Sequence, residues 1–221
     1  MIYITGDIHG DLSDLDSRNI NKLKKDDTLI VTGDFGFLWD NSAKEIKALK
    51  KLSKRKYTIL FVEGVHENFD MINEKESVEL FGSEAKKISD NIYCLERGNI
   101  YTIENKTVFA LGGGSVDDPF ENIDPDPLNN KAMPTDEQLQ QAVDNLQSIR
   151  KNVDIIITHE APASVKRLIR RDSSLNDLNL FLDTLIHNVK YKIWYFGSLH
   201  TDRSLSTNMT CVWQDVIKVD F

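Results

Sequence analysis

The chain has 221 residues, with 27 basic against 35 acidic side chains and a net charge of −8. That balance argues against bulk nucleic acid or an anionic membrane surface as a default partner. At 40% hydrophobic and 28% charged the composition is globular, and no apolar run approaches the ~18 residues of a membrane span.

The first 65 residues alternate in character. Residues 2–5 read as a short strand ending in Gly6-Asp7, and residues 11–23 as a helix carrying Leu12, Leu15 and Ile20. Residues 28–32 read as a second strand ending in Gly33-Asp34. Residues 42–53 read as a helix with Ile46, Leu49 and Leu52 on one side and lysines on the other, and residues 57–62 as a third strand ending at Gly64. Strand, helix, strand, helix, strand predicts parallel pairing with right-handed crossovers. Residues 91–96, 99–104 and 107–111 read as a meander, and 112–134 as a loop rich in Gly, Asp, Asn and Pro. A helix over 135–150 opens on Thr135 with Gln138 three residues on, the pattern of a capping box. Strands follow at 154–158 and 192–196, with a helical stretch between them and two or three short strands in the tail. The expectation is a single domain over 1–221, an α/β fold of two packed sheets with outer helices.

Four of the five histidines, His9, His66, His159 and His200, fall just beyond predicted strand ends, as do Asp7 and Asp34. The carboxyl ends of strands are where α/β sheets build sites. Six potential metal ligands placed there by five strands are hard to assign to packing, whereas His187, inside a helical stretch, reads as an ordinary core or surface residue. The opening MIYITGDIHG has no basic leader or signal core. Cys94 and Cys211 lie in strand-like runs, so no disulfide framework is expected and a reducing cytoplasm is the expected location.

Five ordered blocks carry a resemblance: Gly6-Asp7-Ile8-His9-Gly10, Gly33-Asp34-Phe35-Gly36, Gly64-Val65-His66-Glu67, Thr158-His159-Glu160 and Gly197-Ser198-Leu199-His200. The chain resembles the calcineurin-like metallophosphoesterases over nearly its whole length. The resemblance implies a four-layer α-β-β-α sandwich of two mixed sheets with a binuclear centre. It implies hydrolysis of a phosphomonoester or phosphodiester by metal-activated water. By the same resemblance the first metal takes Asp7, His9, Asp34 and His200, Asp34 bridges, His159 serves the second metal, and His66 donates a proton to the leaving oxygen. Imidazole and carboxylate ligands suit Mn, Fe, Zn, Co or Ni better than Ca.

Two positions depart from the family pattern. Val65 stands where the family has a ligating Asn, and Ser198, at best a weak ligand, where it has a His. The expectation is therefore one strong metal site and a weak second one. The alternative is a degenerate member that binds a phosphate-containing ligand or a partner without catalysis. The family's usual carboxylate partner of His66 is also absent, with Glu67 and Asp70 near it in sequence and Glu160 a further donor for a rebuilt second site. Arg203, three residues past His200, is a candidate to grip a substrate phosphate through its guanidinium fork.

The remaining features read more plainly. Lys44, Lys47, Lys50, Lys51, Lys54, Arg55 and Lys56 read as a solvated helix face rather than a nucleic-acid contact, since no aromatic interleaves. Lys166, Arg167, Arg170 and Arg171 read as a charged helix surface, with a phosphate clamp as the alternative. Gly112-Gly113-Gly114-Ser115 lacks the ending of a phosphate loop and reads as a tight turn passing near the metals. Asp117, Asp118, Glu121, Asp124 and Asp126 read as a solvated loop, and Trp39 as core or a wall of the substrate pocket.

Overall fold

A computed structural model describes residues 1–18, 20–115 and 131–221. Its first sheet holds β1 (Ile2–Thr5), β2 (Thr28–Val31), β3 (Thr58–Phe61), β4 (Ser77–Leu80), β5 (Ser83–Ser89), β6 (Ile92–Leu95) and β13 (Ile217–Lys218), in the order 13-1-2-3-6-5-4. The second holds β7 (Asn99–Ile103), β8 (Lys106–Leu111), β9 (Asn152–Thr158), β10 (Lys190–Phe196), β11 (Arg203–Ser206) and β12 (Met209–Cys211), in the order 11-12-10-9-8-7. The runs β1-β2-β3-β6 and β12-β10-β9-β8 are parallel, and antiparallel strands finish both edges.

The four layers follow from strand alternation, because successive side chains leave a strand on opposite faces. In β2, Ile30 enters the core between the sheets while Leu29 and Val31 face outward. Those outward residues pack with Ala48 and Leu52 of α2 (Ala43–Leu52) and with Leu15 of α1 (Leu12–Ser17). In β9, Ile155 and Ile157 face the inter-sheet core, and Ile156 faces Ala142 and Leu146 of α4 (Asp136–Ser148), Val165 of α5 (Ala163–Ile169), and Leu178, Leu182 and Leu185 of α6 (Asp177–Asn188). Strands buried on both faces read as continuous Val, Ile and Leu, which is why TLIV and DIIIT were legible as strands. The α4 capping box is formed: Gln138 N–H donates to Thr135 Oγ1, and Thr135 N–H to Gln138 Oε1.

Two expectations are corrected. The helix over 11–23 stops at Ser17, and Ile20–Lys22 is a separate 3-10 turn. Arg18 is drawn inward beneath the first loop, and Ile20 is fully buried beyond it. The meander is not one unit. β6 belongs to the first sheet and β7 and β8 to the second, so the chain changes sheets at Arg97-Gly98. Hairpin β4–β5 and α3 (Phe69–Asn73) add to the first sheet. The hairpin sequences SVEL and SEAKKIS are rich in charge because they sit at a half-exposed edge, so hydrophobicity does not mark them. The acidic loop Asp117–Asp126 lies outside the described residues.

Candidate metal centre

The loops that leave β1, β2, β3, β9 and β10 meet at one end of the sandwich, bringing Asp7 and His9, Asp34, His66, His159, and His200 together. The loops are bonded to one another, since Ile8 N–H and His9 N–H both donate to the Asp34 carbonyl (2.8 and 2.9 Å) and Gly197 N–H to the His159 carbonyl (3.1 Å). The glycines of the motifs are needed for this crowding. A Cβ on Gly33, whose φ is +104°, would stand 2.2 Å from His159 Nδ1, and one on Gly64 would stand 2.1 Å from Asp34 Oδ1. His9, Asp34, Ser198 and His200 all take positive φ. Such backbone is costly for residues other than glycine and clusters at functional sites.

Asp7, Asp34 and His159 form a buried floor, and His9, His66 and His200 form a rim open to solvent. The centre of the arrangement is Asp34. Its Oδ1 accepts from Val65 N–H (2.7 Å) and His66 N–H (2.9 Å). Its Oδ2 faces His159 Nε2 at 3.5 Å, His66 Nε2 at 3.9 Å and His9 Nε2 at 4.0 Å. With Oδ1 held by backbone amides, Oδ2 is the oxygen that Asp34 would offer to a cation. His159 Nδ1 lies 3.0 Å from the Thr32 carbonyl, so in the neutral imidazole the proton sits on Nδ1 and Nε2 carries the lone pair, an arrangement usual for ligating histidines. Asp7 spans the site, with Oδ1 3.6 Å from His159 Nδ1 and Oδ2 3.7 Å from His200 Nε2. His9 Nε2 and His200 Nε2 are 3.0 Å apart. Among the described residues two three-residue groups converge closely enough to hold cations, His9-Asp34-His200 and Asp7-Asp34-His159. Carboxylates and neutral imidazoles in this set fit a first-row divalent ion.

The charges are mutually dependent. Burial pushes the Asp7 carboxyl up to about 6, although His159 works against it. Burial also acts to raise Asp34, yet His159, His66 and His9 together hold it below the ordinary carboxylate range. Burial pulls His159 down, but Asp34 and Asp7 outweigh it and raise the imidazole to about 9. Beneath them Glu67 is fully buried and accepts from Phe35 N–H (2.6 Å) and Gly64 N–H (2.8 Å); burial and then Asp34 raise it to about 8.

A stability profile follows. Asp7 and Glu67 keep protons in the fold that the unfolded chain, with pKa values near 4, has released. Their contribution therefore falls as pH rises from about 4 through about 8. The His159 contribution is fully present below its ordinary 6.5 and is lost as pH rises through about 9. Asp34 has the opposite sign but acts below about pH 4. The metal-free protein is thus expected to lose at least about 5 °C of melting temperature between pH 5 and pH 9. Mn²⁺ should recover more of it at higher pH, where fewer protons compete. Melting curves in chelator and in Mn²⁺ at pH 5, 7 and 9 check this; a flat or rising metal-free profile contradicts it.

Other residues named from the sequence take varied places. Val65 is 7% exposed, and its side chain packs with Phe69 and Ala132. Ser198 reaches the centre through its backbone, its N–H donating to Asp7 at 3.1 and 3.3 Å. Glu160 is not poised as a replacement ligand. Its carboxylate is buried and bound by Lys166 Nζ (3.2 Å), Asn179 Nδ2 (2.8 Å) and Asn176 Nδ2 (3.2 Å). The same network takes Lys166 out of any phosphate clamp. Neither neighbour in sequence replaces the carboxylate partner of His66, since Glu67 faces backbone amides and Asp70 pairs with Lys131; among the described residues, Asp34 Oδ2 faces His66 Nε2 at 3.9 Å. Arg203 is exposed at the start of β11, and His187 is exposed on α6. Trp39 joins His66 in the wall of a cleft of about 300 Å³, their ring centroids 6.4 Å apart.

Two supporting residues carried no sequence signal. Arg18 donates to Thr5 Oγ1 (2.9 Å) and to the carbonyls of Gly6 (2.7 Å) and Asp7 (2.9 Å), fixing the first loop from below. Asp202 accepts from the amides of Trp213 (2.8 Å), Gln214 (3.1 Å) and Asp215 (3.1 Å), and Trp213 stacks on His200 with centroids 5.7 Å apart.

A two-sheet sandwich with a cluster of carboxylates and imidazoles at its strand ends defines a metal-dependent hydrolase class. The family model for calcineurin-like phosphoesterases matches residues 1–202, and the chain belongs to that family. No curated protein matches it in sequence. A Staphylococcus aureus protein described as a 5'-nucleotidase, crystallised with alpha-ketoglutarate, is similar in fold, with a TM-score of 0.50 at 15% identity. The match covers 99% of this chain and 51% of that one, so the chain spans about half that protein's length. No helix among the described residues is long and apolar enough to cross a membrane.

Proposed function

We propose that the protein is a phosphoesterase that hydrolyses a phosphomonoester or phosphodiester, working as a single domain over 1–221 in the cytoplasm. The observation that carries this is the convergence of three imidazoles on Asp34 Oδ2 while backbone amides hold Oδ1. In this reading Asp7, His9, Asp34 and His200 would hold the stronger divalent ion (Mn, Fe, Zn, Co or Ni), and Asp34 and His159, with Ser198 as a weak donor, would hold a weaker one. A bound divalent ion supplies Lewis acidity toward the phosphoryl oxygens and acidifies water. Asp34 and the loops bonded to it keep the imidazoles aimed at one point without rearrangement. His66, on the open rim, gives a proton from Nε2 to the leaving oxygen, and Arg203 grips a non-reacting phosphate oxygen. Trp39 and the cleft beside it shield one side of the ester from water.

Hydrolysis of p-nitrophenyl phosphate and bis(p-nitrophenyl) phosphate tests the reading. Activity should vanish in chelator and return with Mn²⁺. His66→Gln should lower kcat about 100-fold or more with metal binding retained. The loss should be larger for phenyl phosphate than for p-nitrophenyl phosphate, because the poorer leaving group needs the proton more. Equal losses on both esters would remove the acid role from His66. The burial of Val65 against Phe69 and Ala132 favours the second reading, a non-catalytic phosphate-binding protein, which predicts no turnover at any Mn²⁺ concentration.

A further inference from the structure

The lysine-rich segment that reads as a solvated face in sequence occupies a defined place in the fold. Lys44, Lys47, Lys51 and Lys54 are spaced three, four and three residues apart, so they form one ridge along α2 and its end. With Lys50 they line a groove of about 810 Å³ between α2 and the start of α1. One end of this groove is His9 and Gly10 of the metal centre. The groove shares His9, Gly10, Lys44 and Ala48 with the cleft beside His66, so the two are continuous. Lys51 is paired with Asp16 (2.9 Å). Among the described residues Lys44, Lys47, Lys50 and Lys54 form no ion pair, and all are exposed. The carboxylate in the groove is Asp11, already engaged as the N-cap of α1 by Ser13 N–H and Oγ. A concentrated positive ridge on a protein of net charge −8 creates a local field that the bulk charge opposes elsewhere.

We propose that this groove seats the trailing phosphates of a substrate that carries a linear phosphate chain, with the reacting phosphate at the metal centre. The proposal rests on the phosphoesterase reading and names its substrate class. Lys44 to Lys51 spans about 10 Å along the helix, room for several phosphates in a row. Ammonium groups on flexible stems suit an anion whose charges repeat and whose geometry varies. The groove lining holds no aromatic ring except His9. That favours a bare phosphate chain over single-stranded nucleic acid, whose bases want stacking platforms.

Calorimetric titration of the full chain without added metal separates this from catalysis, because neither turnover nor chelation contributes. The probes are inorganic tripolyphosphate, orthophosphate, a nucleoside triphosphate and a short single-stranded oligonucleotide. Tripolyphosphate should bind at least tenfold more tightly than orthophosphate, with an affinity that falls steeply as salt rises. The variant K47Q/K50Q/K54Q should lose that preference. The variant K24Q/K25Q/K190Q, with the same change in net charge on exposed lysines elsewhere, should keep it. If the nucleoside triphosphate gains further affinity over tripolyphosphate, the chain is carried by a nucleotide; if not, it is inorganic. Circular dichroism of both variants establishes that they are folded. No preference in the parent, or equal loss in both variants, overturns the proposal. So does tighter binding of the oligonucleotide, which would assign the ridge to nucleic acid. Failure of the p-nitrophenyl assays alone would strike the phosphoesterase reading and leave this binding result standing.

Discussion

Asp34→Asn is expected to remove tight metal binding at both positions and reduce metal-dependent hydrolysis to background. Asp34 is common to both groups of converging donors. The direction of its amide replacement is set by the backbone. Val65 N–H and His66 N–H both demand an acceptor where Oδ1 sits, so the asparagine oxygen must stay there. The NH2 group then takes the place of Oδ2, facing His9, His66 and His159, where it has no lone pair to give. Loss of a supporting partner of a ligand typically costs about 10–100-fold in affinity, so loss of the shared ligand should cost at least about 100-fold. Calorimetry with Mn²⁺ on the stripped variant measures this directly. Affinity within tenfold of the parent would show that Asp34 is not the bridging group.

Val65→Asn with Ser198→His is expected to raise the number of tightly bound Mn²⁺ ions from one in the parent to two, with a matching rise in phosphoesterase activity. The backbone accepts both changes. Position 65 already donates its amide to Asp34, and position 198 has φ of 67°, close to the values of 49° and 45° that His9 and His200 adopt here. The cost falls on packing, because Val65 is 7% exposed against Phe69 and Ala132. Removing that apolar burial costs about 2 kcal/mol, enough to lower the melting temperature by several degrees. Metal stoichiometry and turnover, measured on parent and double variant together, decide the matter. Two comparable sites in the parent would mean that Val65 and Ser198 do not limit the second site. An unchanged single site in the variant would mean that these positions do not face it.

The same residues show how far sequence reading reaches. The blocks around Asp7, His9, Asp34, His66, His159 and His200 were legible because each follows a buried strand whose hydrophobic run is local and continuous, and all six residues do converge. The β4–β5 hairpin was not legible, because an edge that is half exposed carries lysine and glutamate where a central strand carries valine and isoleucine. The division between β6 and β7 was hidden for a related reason. Short strands joined by tight turns look alike whether the next strand pairs with the last or crosses to another sheet. Glu160 and Lys166 illustrate the limit for function: each is of a type suited to a site, and each is instead engaged by the other inside the protein.

Sequence alone determined the order of strands and helices in the first third, the capped α4, the family, and the set of side chains that converge at the strand ends. These depend on local periodicity and on short motifs at strand ends. Tertiary structure decided which oxygen of Asp34 is available and that Arg18 braces the first loop. It also decided that Asp202 sets Trp213 against His200 and that the lysines of α2 border a groove opening on the centre. Each of those depends on groups far apart in the chain being brought within a few ångströms by packing. A pattern confined to neighbouring residues carries no record of which distant amide, carbonyl or carboxylate a side chain will meet.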